Sequence, residues 1–208
     1  MNEDSETGRT RQRLRDRLRE ATHREIMTAA EEVFAEMGLD AATMAQIAER
    51  AGVAVGTLYN RFADRDALVE ALRSERRAEV VVELDRTLAA LEDAGFREQL
   101  VGFFTTWFEQ VDQHRAFFRL LLAKESGTAQ QRAKTSSAIF DRLEGILKRG
   151  HKEKLLKRDV DQSFVITLFW MAKGMLQRDL YGLEPLGPRE AARALVAQFL
   201  EGAGKEAR

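Results

Sequence analysis

Side chains able to read a nucleic acid are concentrated in one short stretch, AVGTLYNRF at residues 54–62. Val55 can touch a thymine methyl, and the Thr57 hydroxyl can bond a base or a phosphate. Gly56, without a Cβ, lets backbone and ligand approach closely. Leu58 and Phe62 stand four apart, on one side of a helix, and should anchor it to a core. Tyr59, Asn60 and Arg61 then point elsewhere, within reach of phosphates. Catalytic chemistry has no comparable concentration. Without Cys there is no thiolate nucleophile, thiolate metal site or disulfide framework. His23, His114 and His151 are far apart, without metal-ligand spacing, and each reads as a surface or hydrogen-bonded histidine. Gly182–Gly187 has Walker-like glycine spacing but continues Pro-Arg, and Gly145–Gly150 sits at a helix end. Neither G-x-S-x-G nor H-E-x-x-H occurs. No enzyme activity, metal or cofactor is expected.

The elements that must position residues 54–62 are helices. Two Pro in 208 residues and abundant Ala, Leu, Arg and Glu predict an all-α chain. Ile26, Ala29, Ala30, Val33, Phe34 and Met37 form one apolar stripe, and Gly38 ends it. Thr43-Met-Ala-Gln46 is a capping box opening a short second helix that stops at Gly52. The third segment, Ala54–Phe62, follows a short turn. Two short helices joined by a Gly-containing turn are a helix-turn-helix signature, in which the second helix enters the major groove. Asp64 reads as the N-cap of a long fourth helix. That helix carries Leu68 and Leu72 on one side, then Val81, Leu84, Leu88 and Leu91 on roughly the other. The charged waist between them, Arg73–Glu79, places a domain boundary near residue 75.

Charge is distributed unevenly. The net charge is −1, which taken alone speaks against a nucleic-acid binder. Residues 9–19, however, hold Arg9, Arg11, Arg13, Arg15, Arg17 and Arg19 against Asp16, a net +5, and leave the rest of the chain at −6. Three readings stand for residues 1–20: a solvated leader, a flexible basic arm ordered by DNA, or a backward extension of the first helix, which Leu14 and Leu18 allow. The N-terminus has no apolar core of a secretory signal, and the longest uncharged runs, 162–172 and 100–108, fall short of the roughly 20 residues of a bilayer span. A cytoplasmic protein without membrane contact is expected.

Residues 38–72, GLDAATMAQIAERAGVAVGTLYNRFADRDALVEAL, resemble the DNA-binding domain of the tetracycline-repressor (TetR/AcrR) family. The matching pieces are Thr43, Ile47–Val53, Gly56–Tyr59, Phe62 and Asp64–Leu68. The resemblance implies that Thr43, Gly56, Thr57, Tyr59, Asn60 and Arg65 contact operator DNA, with Arg65 at the start of helix four. The chain departs from the family's common pattern at Ala54, where many members have Ser or Thr, and at Arg61, where many have His. The expected architecture is about nine helices: a basic arm at 1–20, a three-helix DNA-binding domain at 21–75, and a helical bundle at 76–208.

For the bundle, the resemblance implies a homodimer through the last two long helices, about 160–181 and 188–203, and hence a palindromic operator of double-stranded DNA. Helix eight, apolar nearly all round from Phe164 to Leu176, should then be buried on every side, by its own bundle and by a partner. Asp159-Val-Asp-Gln162 is expected to cap it, as Thr128-Ala-Gln-Gln131 caps helix seven. An aromatic and Met-rich wall (Phe104, Trp107, Phe108, Phe118, Phe140, Trp170 and Met171) suits a small apolar ligand. Gln110, His114, Arg119, Asp141 and Gln162 are polar groups that can orient one. The expected function is a ligand-responsive repressor. The alternative is a DNA-bound dimer without an inducer, whose second domain recruits a protein.

Overall fold

The computed structural model describes residues 3–123, 129–156, 161–178 and 182–203, with side-chain detail from residue 11 onward except at 119, 121–137, 162 and 202–203. Among the described residues there are nine helices and no sheet: α1 (Glu3–Met37), α2 (Met44–Arg50), α3 (Val55–Tyr59), α4 (Arg65–Ala90), α5 (Phe96–Gln113), α6 (Arg115–Ala123), α7 (Ala129–Lys152), α8 (Gln162–Leu176) and α9 (Pro188–Ala203). None of them is long and apolar enough to cross a membrane.

The chain divides into two compact units. The first comprises Met1–Glu75 and Ala116–Glu125. Its core gathers Ile26, Ala30, Val33 and Phe34 of α1, Ile47 and Ala48 of α2, Leu58 of α3, Phe62, and Leu68 and Leu72 of α4. Burying side chains of this size stabilises by roughly 1.5–3 kcal/mol each relative to exposure. Phe117 of α6 completes this core, its ring stacked on Phe34 at 6.4 Å. The sequence alone put helix six in the second domain. Its apolar pattern shows only that the helix has a buried side, not which core receives it.

The helix ends follow from local chemistry. Gly38 and Gly52 take φ of +84° and +65°, the left-handed region where a Cβ is costly, and so terminate α1 and α2. A double brace ties α1 to the end of α2: Arg50 donates to Glu36 Oε1 and Oε2 (2.9 and 2.7 Å) and to Glu32 Oε2 (3.3 Å). These bonds hold the Glu36 carboxyl below the usual carboxylate range and push the Arg50 guanidinium further up. Residues 3–20 continue α1 without a break, so the first helix is extended backward.

The second unit comprises Arg76–Arg115 and Ser126–Arg208. α5 is its spine, packed along α9 and against α7. Leu100, Phe103, Phe104 and Phe108 of α5 are fully buried; Val80 and Leu84 of α4, Leu143 and Leu147 of α7, and Leu195 and Val196 of α9 are the buried side chains of the helices around it. On α4 the deeply buried pair is thus Val80 and Leu84, while Val81 is half-buried. The amide of Gln99 donates to the carbonyls of Leu91 (2.8 Å) and Glu92 (3.2 Å), satisfying the end of α4. Gly102 lets α4 approach, since a Cβ there would meet the Leu91 side chain; Gly145 and Gly174 face open space. Asp85 and Arg142 form a bidentate pair (2.6 Å for both bonds) that draws the Asp85 carboxyl below its ordinary range.

Helix eight starts from the expected capping run and is buried along one face. Its N-cap is Asp161, whose side chain accepts from the Phe164 amide at 2.8 Å; Asp159 lies outside the described residues, as does the Thr128 of the other capping box. Among the described side chains α8 buries the face of Val165, Leu168 and Ala172, and leaves Ile166, Trp170 and Met171 at 38, 59 and 39% exposure.

Candidate nucleic-acid interface

Thr43 caps α2 reciprocally. Its Oγ1 accepts from the Gln46 amide (3.3 Å), and its own backbone N–H donates to Gln46 Oε1 (2.9 Å). The turn follows: Val53 N donates to Ala48 O (2.9 Å), and Gly52 supplies the left-handed residue. α3 then starts at Val55 with Ala54 as N-cap in extended conformation. Ala54 makes no side-chain cap bond; its carbonyl accepts from the Thr57 and Leu58 amides (2.8 and 3.3 Å).

Burial sorts the five residues of α3 into anchor and surface. Leu58 is fully buried and Phe62, one turn later, is 8% exposed. Val55 (41%) and Tyr59 (51%) are exposed large side chains, four apart along the helix. Gly56, Asn60 and Arg61 are also exposed, Thr57 is half-buried, and nothing lies within 4 Å of a Cβ built on Gly56. An exposed apolar side chain, a hydroxyl and a Cβ-free backbone thus share the first turn of a short helix held rigidly from behind. That is the surface a helix presents to base edges in a major groove.

The flanking cations are less free than the sequence implies. Arg65 donates through Nη1 to the Asp40 carbonyl (2.7 Å) and lies near the Asp40 and Asp66 carboxylates (3.8 and 3.5 Å). It therefore pins the loop after α1 to the start of α4, with Asp64 accepting from Ala67 N (2.7 Å) as the helix cap. Arg61 Nη2 donates to the Arg19 carbonyl at 3.2 Å. Sequence reasoning did not foresee that contact, which sets the residues after α3 against the point where α1 leaves the core. No local spacing links positions 42 residues apart.

The aromatic candidates in the other unit are brought together only in part. Phe104, Trp107 and Phe108 pack ring to ring at 5.8–6.2 Å, and Trp107 stacks on Phe169 (4.6 Å), which meets Phe140 at 4.6 Å. Phe118 belongs to the first unit, against Phe117 (6.2 Å). Trp170 faces outward with the Lys173 ammonium 4.2 Å from its ring centroid, and Met171 is also exposed. Beside Phe108 is a void of about 10 Å³, also lined by Asp112, Arg115, Met175 and Arg178, no larger than one water requires. Of the polar candidates, Gln110 lies 3.4 Å from Gln113 and His114 lies 3.9 Å from the Glu79 carboxylate. Asp141 is exposed, and the Arg119 and Gln162 side chains lie outside those described.

Buried anchors, a capped bracing helix and an exposed short helix define a helix-turn-helix DNA-binding protein. The family model for bacterial regulatory proteins of the tetR family matches residues 26–72. The transcriptional repressor KstR2 of Mycobacterium tuberculosis is 26% identical over 194 residues, covering 88% of this chain and 92% of that protein. The repressor Rv1474c of the same organism is 28% identical over 79% of this chain and 86% of its own length. The fold is shared with the regulator FadR of Bacillus subtilis, solved in complex with stearoyl-CoA, at a TM-score of 0.73 and 20% identity over 86% of this chain and 98% of that one. Residues 26–72 thus match a tetR-family DNA-binding domain, and the chain is a DNA-binding transcriptional regulator like the relatives it aligns with, which are not enzymes.

Proposed function

We propose that the protein is a repressor that binds a palindromic operator as a homodimer and is released from it by a small apolar molecule. The observation that carries the DNA half is the exposed set Val55, Gly56 and Tyr59, beside the half-buried Thr57, on a helix anchored by Leu58. Asn60, Arg61 and the exposed Thr43 supply phosphate contacts around it, and Arg65 adds charge while holding its loop. The dimer reading is supported by the outward strip of Ile166, Trp170 and Met171 on α8, an apolar patch that a second copy of α8 and α9 would cover. The ligand reading is supported by the aromatic cluster of α5 and by the acyl-CoA carried by FadR, a neighbour in fold.

In this mechanism the ligand prefers one arrangement of the second unit by about 1–3 kcal/mol. The change passes along the chain itself. α4 continues across the division at Glu75, and α6 follows α5 directly while holding Phe117 in the first core. The two recognition helices then lose the spacing of the half-sites.

Selection of bound fragments from random-sequence DNA with the full chain should yield a palindrome. Sedimentation should show a dimer that Trp170→Asp breaks. A panel of fatty acyl-CoAs and other apolar molecules should then include one that releases the DNA. The tight ring-to-ring packing of Phe104, Trp107 and Phe108 favours a second reading, a regulator without an inducer. Operator affinity unmoved by every panel member that binds would decide for it.

A further inference from the structure

α1 continues far beyond the core it serves. Its first deeply buried residues are Ile26 and Met27, whereas residues 11–20 are all exposed. The helix nevertheless runs back to Glu3, and the 17 residues from Glu3 to Arg19 rise about 25 Å, the length of roughly seven base pairs. A helix this long, exposed throughout residues 11–20 and with a net +5 over residues 9–19 in a chain that is otherwise acidic, has no role there in burying a core.

The arginines are sorted by the helix. Arg11, Arg15 and Arg19 are four apart and make one strip, and Arg13 and Arg17 make a second. Leu14 and Leu18, at 58 and 59% exposure, separate the two. Arg19 precedes Ile26 by seven residues and Arg15 precedes it by eleven, so the first strip lies on the side of α1 that further along faces the core. From that side Arg61, just after α3, reaches the Arg19 carbonyl (3.2 Å). The strip therefore begins where the recognition segment ends and continues outward from it.

We propose that the N-terminal extension of α1 is a second DNA-binding element, in which Arg11, Arg15 and Arg19 lie along the phosphates of duplex flanking the half-site read by α3. The proposal rests on the DNA-binding reading of α3 and adds to it a contact that carries no base information. The occupant is fixed by charge complementarity: a rigid row of guanidiniums with a rise per turn of about 5.4 Å suits a row of phosphates. A rigid helix of this kind tracks the backbone; it does not thread into the minor groove as an unfolded arm would.

The test compares two double variants of equal charge in the same segment, Arg11→Gln/Arg15→Gln and Arg13→Gln/Arg17→Gln, in the full chain. The probe is a duplex of about 40 base pairs obtained by selection with the wild-type protein, and a shorter version trimmed to the half-sites. Each neutralised phosphate contributes about −0.9 to the slope of log K against log salt. The Arg11/Arg15 variant should make the slope shallower by about 1.8 on the long duplex, and should bind the long and trimmed duplexes alike. The Arg13/Arg17 variant should keep most of the wild-type slope and of the preference for the long duplex. Circular dichroism should show unchanged helix content in both. Equal effects of the two variants would overturn the proposal, because charge alone and not a facing strip would then act. So would two unchanged slopes. Wild-type protein that selects no duplex would instead strike the DNA-binding reading itself.

Discussion

The recognition segment and the aromatic bundle use similar side chains to opposite ends. In the first unit an apolar residue is either wholly inside, as Leu58, or on display beside polar neighbours, as Val55 and Tyr59. A single turn of helix separates the two roles. In the second unit the rings mostly satisfy one another: Phe104, Trp107, Phe108 and Phe169 form a packed cluster, and the apolar surplus collects on one strip of α8. Exposed apolar groups on α3 are thus few and placed among donors, as base reading requires. Those on α8 are contiguous and want an apolar cover.

The largest expected effects test whether the two regions are separate cores. Both tryptophans, Trp107 and Trp170, lie in the second unit, so their fluorescence follows its unfolding. Phe104→Ala should lower the stability read by that signal by about 3–5 kcal/mol in denaturant. Leu58→Ala should cost about 2–5 kcal/mol in the first unit, abolish operator binding, and leave the tryptophan transition nearly in place. Equal shifts of that transition by both variants would mean that the two cores unfold as one.

Next comes the contrast between anchor and display. Tyr59→Ala should weaken operator binding by about 1–3 kcal/mol with little change in thermal midpoint. Gly56→Ala should behave likewise, since no protein atom meets the added methyl and only DNA can. A large drop in stability for either would place these residues inside the fold. Smaller still is Ala54→Ser, which supplies the missing cap of α3 and should stabilise the first unit by about 1 kcal/mol. A denaturation midpoint that does not rise would show the cap position to be unsuitable.

The smallest effects compare the two ion-paired carboxylates, Glu36 in the first unit and Asp85 in the second. Both are held below the ordinary range by hydrogen bonds from Arg50 and Arg142. A lowered carboxylate contributes stability that is full above its unfolded pKa and is lost as pH falls through its folded one. Glu36→Gln and Asp85→Asn should therefore each flatten a little of the stability loss as the pH falls below about 5. An acid limb identical to wild type would remove the pairs from the account.

The local elements were legible because their signals are local. The Thr43 capping box, the left-handed Gly38 and Gly52, and the Asp64 cap each act within four residues of themselves. Leu58 and Phe62 as anchors follow from spacing alone. The pinning of Arg65 to Asp40 and the reach of Arg61 to Arg19 were not legible, because they join positions 25 and 42 apart. The apolar wall was read as one surface, yet Phe118 belongs to the other unit and Trp170 and Met171 are exposed. An aromatic residue carries no mark of which core, or which copy, receives it.

By itself the sequence determined an all-α regulator with a helix-turn-helix whose second helix falls within residues 54–62, and a basic N-terminal stretch. Capping, glycine turns and helical period are properties of a few neighbouring residues, so no fold is needed to read them. Only the tertiary structure decided that α6 completes the first core, that α8 shows an uncovered strip, and that the arginines of residues 9–19 extend a helix already begun. Those outcomes depend on which apolar faces find each other in space, and that is settled by packing between distant parts of the chain.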